Sequence, residues 1–360
     1  MELTTILLFI VGLVLLVTGA DILVKGASRL ARVIGLSPLI IGLTVVAYGT
    51  SAPEVAVSTA SVFNGQPDIA IGNVVGSNIA NILLILGISA LIAPLVVSRQ
   101  LIILDVPIMI GLSLLVLLIS LDGFIGFWDG FLFVGMLVAY TIFLVKKDQT
   151  ITTEPETMEI ELPDSRTFRH ILFIVSGLAL LILGSDWMVD GAVYIARLAG
   201  LSELIIGLTI VAVGTSLPEI ATSILATIRG QRDIAVGNVI GSNIFNILGV
   251  LGISALFSGS GLPVANSLIT FDLPIMLAVA VACMPIFLHG HLIDRFEGGL
   301  FLFYYIAYAT YLVLQASSHD ALPAFSATMI WFLLPVTVIT IILIAWRAFH
   351  QGDFDRLRDM

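Results

Sequence analysis

The sequence predicts an all-α integral membrane protein. Two inverted five-helix repeats form a ten-span core, and an eleventh C-terminal transmembrane helix follows. Three observations carry this. Of the 360 residues 59% are hydrophobic and 11% charged, with a mean hydropathy of +1.12, whereas a soluble domain carries roughly a quarter charged residues. The apolar residues fall in continuous runs near the ~20-residue length of a membrane-spanning helix. The chain also matches itself at an offset of 165 residues, across an odd number of those runs.

The apolar segments lie near residues 4–22, 38–63, 69–92, 101–120, 127–145, 170–189, 203–228, 234–257, 270–288, 298–315 and 324–346. The first lacks the basic start of a secretory leader and recurs later as an internal segment, so it reads as a span. With the N-terminus outside and every segment crossing, the inner side receives Lys25, Arg29, Arg32, Arg99, Lys146, Lys147, Arg166, Arg169, Arg229, Arg232, Arg295, Arg347, Arg356 and Arg358. The outer side receives only Arg197. This split obeys the positive-inside rule, and one missed crossing would scramble every later loop. The chain thus divides into a first five-span half (1–145), an acidic cytoplasmic linker (146–169), a second five-span half (170–317), and an extra transmembrane helix with a cytoplasmic tail (318–360). The Glu and Pro content of the linker is that of a solvated hinge. One cysteine, Cys283, excludes an internal disulfide and a Cys-based metal cage.

Residues 37–92 align without a gap to 202–257, with 37 of 56 positions identical. IIGLTVVAYGTSAPE meets IIGLTIVAVGTSLPE, and GQPDIAIGNVVGSNIANIL meets GQRDIAVGNVIGSNIFNIL. Upstream, TGADILVKGA meets LGSDWMVDGA at the same offset; downstream, ILDVPIM (103–109) resembles TFDLPIM (270–276). Five spans precede the second copy, so the copies enter the membrane in opposite directions. Inverted repeats of this kind build secondary transporters, with the site near the midplane at the repeat interface. Duplication for folding alone explains repeated apolar residues but not the repeated polar, helix-breaking ones.

Each copy carries two polar clusters. The first is Gly49, Thr50, Ser51, Pro53 and Glu54, matched by Gly214, Thr215, Ser216, Pro218 and Glu219. The second is Gly76, Ser77, Asn78 and Asn81, matched by Gly241, Ser242, Asn243 and Asn246. Thr50 and Glu54, like Ser77 and Asn81, are four apart and share a helix face. Pro53 has no amide hydrogen and frees a carbonyl in the turn before it, tolerable at membrane depth only where protein, water or a ligand satisfies it. The inventory is all oxygen, which suits a hard cation such as calcium or sodium. The absence of His and Cys from both copies argues against zinc or copper. A carboxylate at the bilayer centre costs several kcal/mol, and two facing each other disfavour joint ionisation. An empty, doubly charged site resists crossing; one divalent ion, several monovalent ions or protons relieve the penalty, and exchange follows.

Other polar residues read as structural. Asp68 and Asp233 read as helix N-caps after a Gly-Gln turn, and Asp105 and Asp272, two residues before a Pro, as caps. Gly76, Gly87, Gly241 and Gly252 read as close-packing positions.

GTSAPE with GNVVGSNIANI, repeated as GTSLPE with GNVIGSNIFNI, resembles the alpha repeats of the calcium/cation antiporter superfamily, and most closely its prokaryotic sodium/calcium exchanger branch. The likeness covers residues 5–315. It implies a ten-span antiporter core whose kinked second, third, seventh and eighth spans hold the ions, while the first and sixth slide to switch access. It implies calcium coordination by Glu54 and Glu219 with the carbonyls of Thr50 and Thr215. Sodium sites would add Ser51, Ser77, Ser216 and Ser242, with Asn81 and Asn246 lining the centre. The resemblance points to a calcium/sodium antiporter of the prokaryotic plasma (inner) membrane; the positive-inside count puts its N-terminus outside and, after the eleventh span, its C-terminus in the cytoplasm. It implies no enzymatic activity, no cofactor, no nucleic acid and no obligatory protein partner; the partners are the two ions and the lipid bilayer. Relatives of this branch carry Asp at one of the two central positions, whereas this chain has Asn at both 81 and 246. That lowers the site charge by one and keeps a proton/calcium antiporter as the alternative. A passive cation channel is a third reading, disfavoured by the inverted repeat.

Overall fold

The structure, a computed structural model, describes residues 2–151, 165–198, 212–259, 261–340 and 342. It is built of helices α1 (Glu2–Ile34), α2 (Pro38–Thr50 and Ala52–Phe63), α3 (Pro67–Ile92), α4 (Leu101–Asp122), α5 (Phe127–Ile151), α6 (Ser165–Leu198), α7 (Leu217–Ile228), α8 (Arg232–Phe257), α9 (Leu268–Leu288), α10 (Arg295–Ala316) and α11 (Leu322–Thr340). Among the described residues nine helices are long and apolar enough to cross a membrane, or ten if the two halves of α2, bent by 41°, count as one span. The first part of the seventh expected span (203–211) and the end of the eleventh (341 and 343–346) lie outside the described residues.

Two helices outrun their expected spans. The first, expected at 4–22, runs 33 residues, and the sixth, expected at 170–189, runs 34. At 1.5 Å per residue each is roughly 50 Å long, well beyond the ~30 Å hydrocarbon layer. The apolar run marks only the part in lipid. Beyond the apolar run, α1 has its polar residues paired: Lys25 Nζ donates to Asp21 Oδ2 at 2.7 Å one turn back, and Arg229, at the end of α7, pairs with Asp21 Oδ1.

α1 and α6 lie antiparallel along a seam of small residues. A Cβ on Gly12 would meet Gly184 O at 2.8 Å, and one on Gly19 would meet Gly177 O at 2.8 Å. Residue numbers rise on one helix as they fall on the other, which fixes the direction. Leu16, Leu23 and Val24 of α1 and Ile174 of α6 belong to a second apolar cluster, which Ile41 and Val46 of α2, Ala226 of α7 and Ile234 of α8 complete. The larger core centres on α3 and α8, whose apolar windows are 72% and 89% buried against 28% for α1 and α6. Gly87, Gly241 and Gly252 sit where helices touch: a Cβ there would meet Gly298 O at 3.0 Å, Leu43 O at 2.5 Å and Phe133 Cβ at 3.0 Å. Among the described residues nothing comes within 4 Å of a Cβ at Gly76; Leu208, the counterpart of Leu43, lies outside them.

Two short strand pairs, absent from the sequence reading, tie the loops. β1 (Leu95–Val96) pairs antiparallel with β4 (Leu292–Ile293), and β2 (Phe124–Ile125) with β3 (Leu262–Pro263). Each pair joins the α3–α4 or α4–α5 loop to a loop of the second half at the same end of the bundle.

The four expected aspartate caps are not caps. Gln66 and Gln231 occupy the N-cap positions of α3 and α8, leaving Asp68 and Asp233 in the first turn, where a carboxylate favours the helix dipole. Asp105 and Asp272 each close a π-helical turn, Leu101–Asp105 and Leu268–Asp272, inside continuous helices with no free N–H to cap. They accept tyrosine hydroxyls instead: Tyr140 donates to Asp105 Oδ1 at 2.9 Å and Tyr308 to Asp272 Oδ1 at 2.8 Å. Gln100 Nε2 adds a second donor to Asp105 at 3.3 Å.

Candidate functional site

The two Gly-Thr-Ser-x-Pro-Glu segments break their helices at the serine. Ser51 has φ −82°, ψ 11° and Ser216 φ −87°, ψ 6°, and in each case the chain resumes as a helix with Pro in its first turn. Pro53 and Pro218 have no N–H, so the carbonyls four residues back, Gly49 and Gly214, lose their helical donors. Ser185 Oγ donates to Gly214 O at 2.9 Å. The break places Glu54 and Glu219 in the first turn of a new half-helix, whose N-terminal dipole favours negative charge.

Both carboxylates point inward, and each is 1% exposed. Each accepts a hydroxyl from the break in the opposite half: Ser51 Oγ donates to Glu219 Oε1 at 2.9 Å, and Ser216 Oγ to Glu54 Oε1 at 3.3 Å. Ser216 Oγ also lies 3.3 Å from Ser77 Oγ. The two repeats thus clasp each other by reciprocal Ser–Glu bonds.

Around this centre the pairing stays reciprocal. Thr50 Oγ1 donates to Asn238 Oδ1 at 3.1 Å and Thr215 Oγ1 to Asn73 Oδ1 at 3.3 Å. Asn73 Nδ2 donates to Ser58 Oγ at 3.0 Å and Asn238 Nδ2 to Ser223 Oγ at 2.9 Å. Asn81 Nδ2 donates to Asn243 Oδ1 at 3.0 Å, and Asn246 Nδ2 to Asn78 Oδ1 at 3.1 Å. Asn81 and Asn246 each open a π-helical turn, Asn81–Leu86 and Asn246–Leu251. Such turns widen a helix and recur at functional sites.

Five buried oxygens here have no hydrogen-bond partner: Glu54 Oε2, Glu219 Oε2, Asn81 Oδ1, Asn246 Oδ1 and Ser242 Oγ. Leaving such an atom unsatisfied costs about 1–3 kcal/mol, more for a charged group. They come from four helices and from both copies of the repeat. Among the described residues no three His, Cys, Asp or Glu side chains converge, so a cation held here would rest on two carboxylates plus neutral oxygens, a donor set that fits a hard ion.

All ten residues singled out from the sequence lie in this network or next to it. Thr50 and Thr215 donate their hydroxyls to Asn238 and Asn73. Asn73 and Asn238 were missed, although the signal was present: both are identical across the aligned copies and lie within a membrane span.

A family model described as "Sodium/calcium exchanger protein" matches residues 4–146 and 169–314. The sodium/calcium exchanger MaX1 of Methanosarcina acetivorans is 33% identical over 309 residues, 74% of this chain and 87% of the relative. The inner membrane protein YrbG of Escherichia coli K12 is 43% identical over 245 residues, 66% of this chain and 74% of the relative. The solved structure of the sodium-calcium exchanger NCX_Mj soaked with 10 mM Na+ and zero Ca2+ superposes with a TM-score of 0.75 at 34% identity, covering 85% of this chain and 98% of that one. Fold and relatives define the class, a multi-pass membrane antiporter of cations. Within that class, the chain belongs to the sodium/calcium exchanger protein family.

Proposed function

We infer that the protein exchanges calcium for sodium across the prokaryotic plasma membrane by alternating access. Its ions are held by Glu54 and Glu219, the carbonyls of Thr50 and Thr215, Ser51, Ser77, Ser216, Ser242, Asn81 and Asn246. The observation that carries this is the set of unpartnered buried oxygens, two of them carboxylate, drawn from both repeats around the Ser–Glu clasp. The names of the relatives MaX1 and NCX_Mj support calcium and sodium as the ions.

The mechanism follows from electrostatics. Ionised carboxylates away from water are costly, and the absence of a basic residue from the four polar clusters leaves cations as the neutralising partner. A loaded site crosses; an empty one does not. The two halves, 1–145 and 170–317, are inverted repeats. Support for this comes from the antiparallel seam between α1 and α6 and from the reciprocal hydrogen bonds across the centre. The α1–α6 pair, packed along its glycine seam, is the unit that slides to expose the site to one side and then the other. The N-terminus lies outside, and the tail beyond α11 is cytoplasmic.

Proton/calcium antiport is the second reading, favoured by one feature: both central side chains, Asn81 and Asn246, are neutral amides. Purified protein in sodium-loaded vesicles separates the readings. Calcium uptake is expected when external sodium is removed and is expected to stop when the sodium gradient is abolished. Uptake driven by a pH gradient and indifferent to sodium assigns the proton; uptake without a counter-ion assigns a channel.

A further inference from the structure

The central asparagines raise a problem of polarity. A cation is attracted by an amide oxygen and repelled by an amide NH2, and the two ends of an Asn side chain are nearly the same size. Something must hold Asn81 and Asn246 with the oxygen inward. The structure contains a device for this, once in each half.

Asn243 Nδ2 donates to Met109 Sδ at 3.4 Å, while its Oδ1 accepts from Asn81 Nδ2 at 3.0 Å. Asn78 Nδ2 donates to Met276 Sδ at 3.7 Å, and its Oδ1 accepts from Asn246 Nδ2 at 3.1 Å. A thioether has no hydrogen and can only accept. Each methionine therefore fixes which end of the neighbouring amide faces it. That amide then presents its oxygen to the next, and the last amide's own oxygen is left buried and unpartnered. All six side chains are 2% exposed or less, so no water competes.

We propose that Asn78 and Asn243, set by Met276 and Met109, are positioning residues that hold the amide oxygens of Asn246 and Asn81 toward the transported cation. This rests on the reading of the central oxygens as the ion site. The two relays differ in one respect. Asn78 Nδ2 has a second acceptor, Asn243 O at 3.3 Å, whereas among the described residues Asn243 Nδ2 has Met109 Sδ alone. Met109 is therefore the more critical of two equally buried methionines.

The test is calcium exchange in vesicles, with half-saturating calcium and maximal rate measured separately. Wild-type exchange and its loss in Glu54→Gln establish the site; without them the underlying reading fails, not the relay. Given them, Asn243→Leu and Asn78→Leu are expected to raise half-saturating calcium roughly tenfold with little change in maximal rate, the scale of one lost buried hydrogen bond. Asn243→Asp and Asn78→Asp keep the accepting oxygen and are expected to stay within about threefold of wild type. An Asp variant as impaired as its Leu counterpart, or a Leu variant that binds normally, overturns the relay. Should the Leu variants fail to accumulate, Met109→Leu and Met276→Leu decide the matter, since Met and Leu exchange with little packing cost. Met109→Leu is expected to raise half-saturating calcium severalfold and Met276→Leu less than twofold, by the same hydrogen-bond scale. Equal effects, or none, refute the proposal.

Discussion

Glu54 and Glu219 do what a buried acid seldom does: each keeps one oxygen bonded to a hydroxyl of the opposite repeat and the other without a partner. A side chain selected only for stability would not be left so. Replacement of either by Gln is expected to abolish calcium uptake while the protein still folds, since Gln keeps the shape and an accepting oxygen but loses the charge; full activity in either variant would remove both from the site. Asn238 serves a different end, because its amide ties Thr50 to Ser223. Asn238→Ala removes the donor to Ser223 and leaves the Thr50 hydroxyl only its 3.3 Å bond to Ala47 O, and is expected to lower stability by about 1–3 kcal/mol, read as a lower melting temperature in detergent. The acids were legible in the sequence because a mid-span carboxylate is rare and its repetition at a fixed offset rarer still. Asn73, Asn78, Asn238 and Asn243 carried the same repetition, but their roles depend on which amide end meets which neighbour, and no spacing reveals that.

At the scale of the element, the bent second span and the long first and sixth helices matter most. The break at Ser51 was legible, since Pro53 forbids the preceding bond wherever it sits. The lengths of α1 and α6 were not, because hydropathy stops at the lipid boundary while the backbone does not. Their seam tolerates no side chain at Gly19, where a Cβ would also meet Leu181 N at 2.8 Å. Gly19→Val must push backbone from backbone. It is expected to cost at least the roughly 1–3 kcal/mol of an overpacked contact and to slow exchange more than it lowers the melting temperature. An unchanged exchange rate would free this pair from any part in the motion. The aspartates of α4 and α9 were misread from sequence because the Asp-x-Pro spacing of a cap also fits a π turn within a helix. Tyr140→Phe removes one of two donors to the fully buried Asp105 and is expected to destabilise the protein by about 1–3 kcal/mol, measured by thermal unfolding.

For the whole molecule, sidedness is the open quantity with a direct test. With Cys283 replaced by Ala, a lone cysteine at Ser317 is expected to react with a membrane-impermeant thiol reagent on intact cells, and one at His291 only after the membrane is opened. The reverse pattern would invert the orientation. The sequence by itself determined the membrane class, the internal repeat and the residue types at the centre. Each of these is written in local composition and in the count of apolar runs, and each survives any packing of the helices. Only the tertiary structure decided that the serine of one repeat bonds the acid of the other, that two loop pairs form small sheets, and that methionines lie against the amides. Those contacts join residues more than a hundred positions apart, and hydrogen-bond direction exists only once two side chains face each other.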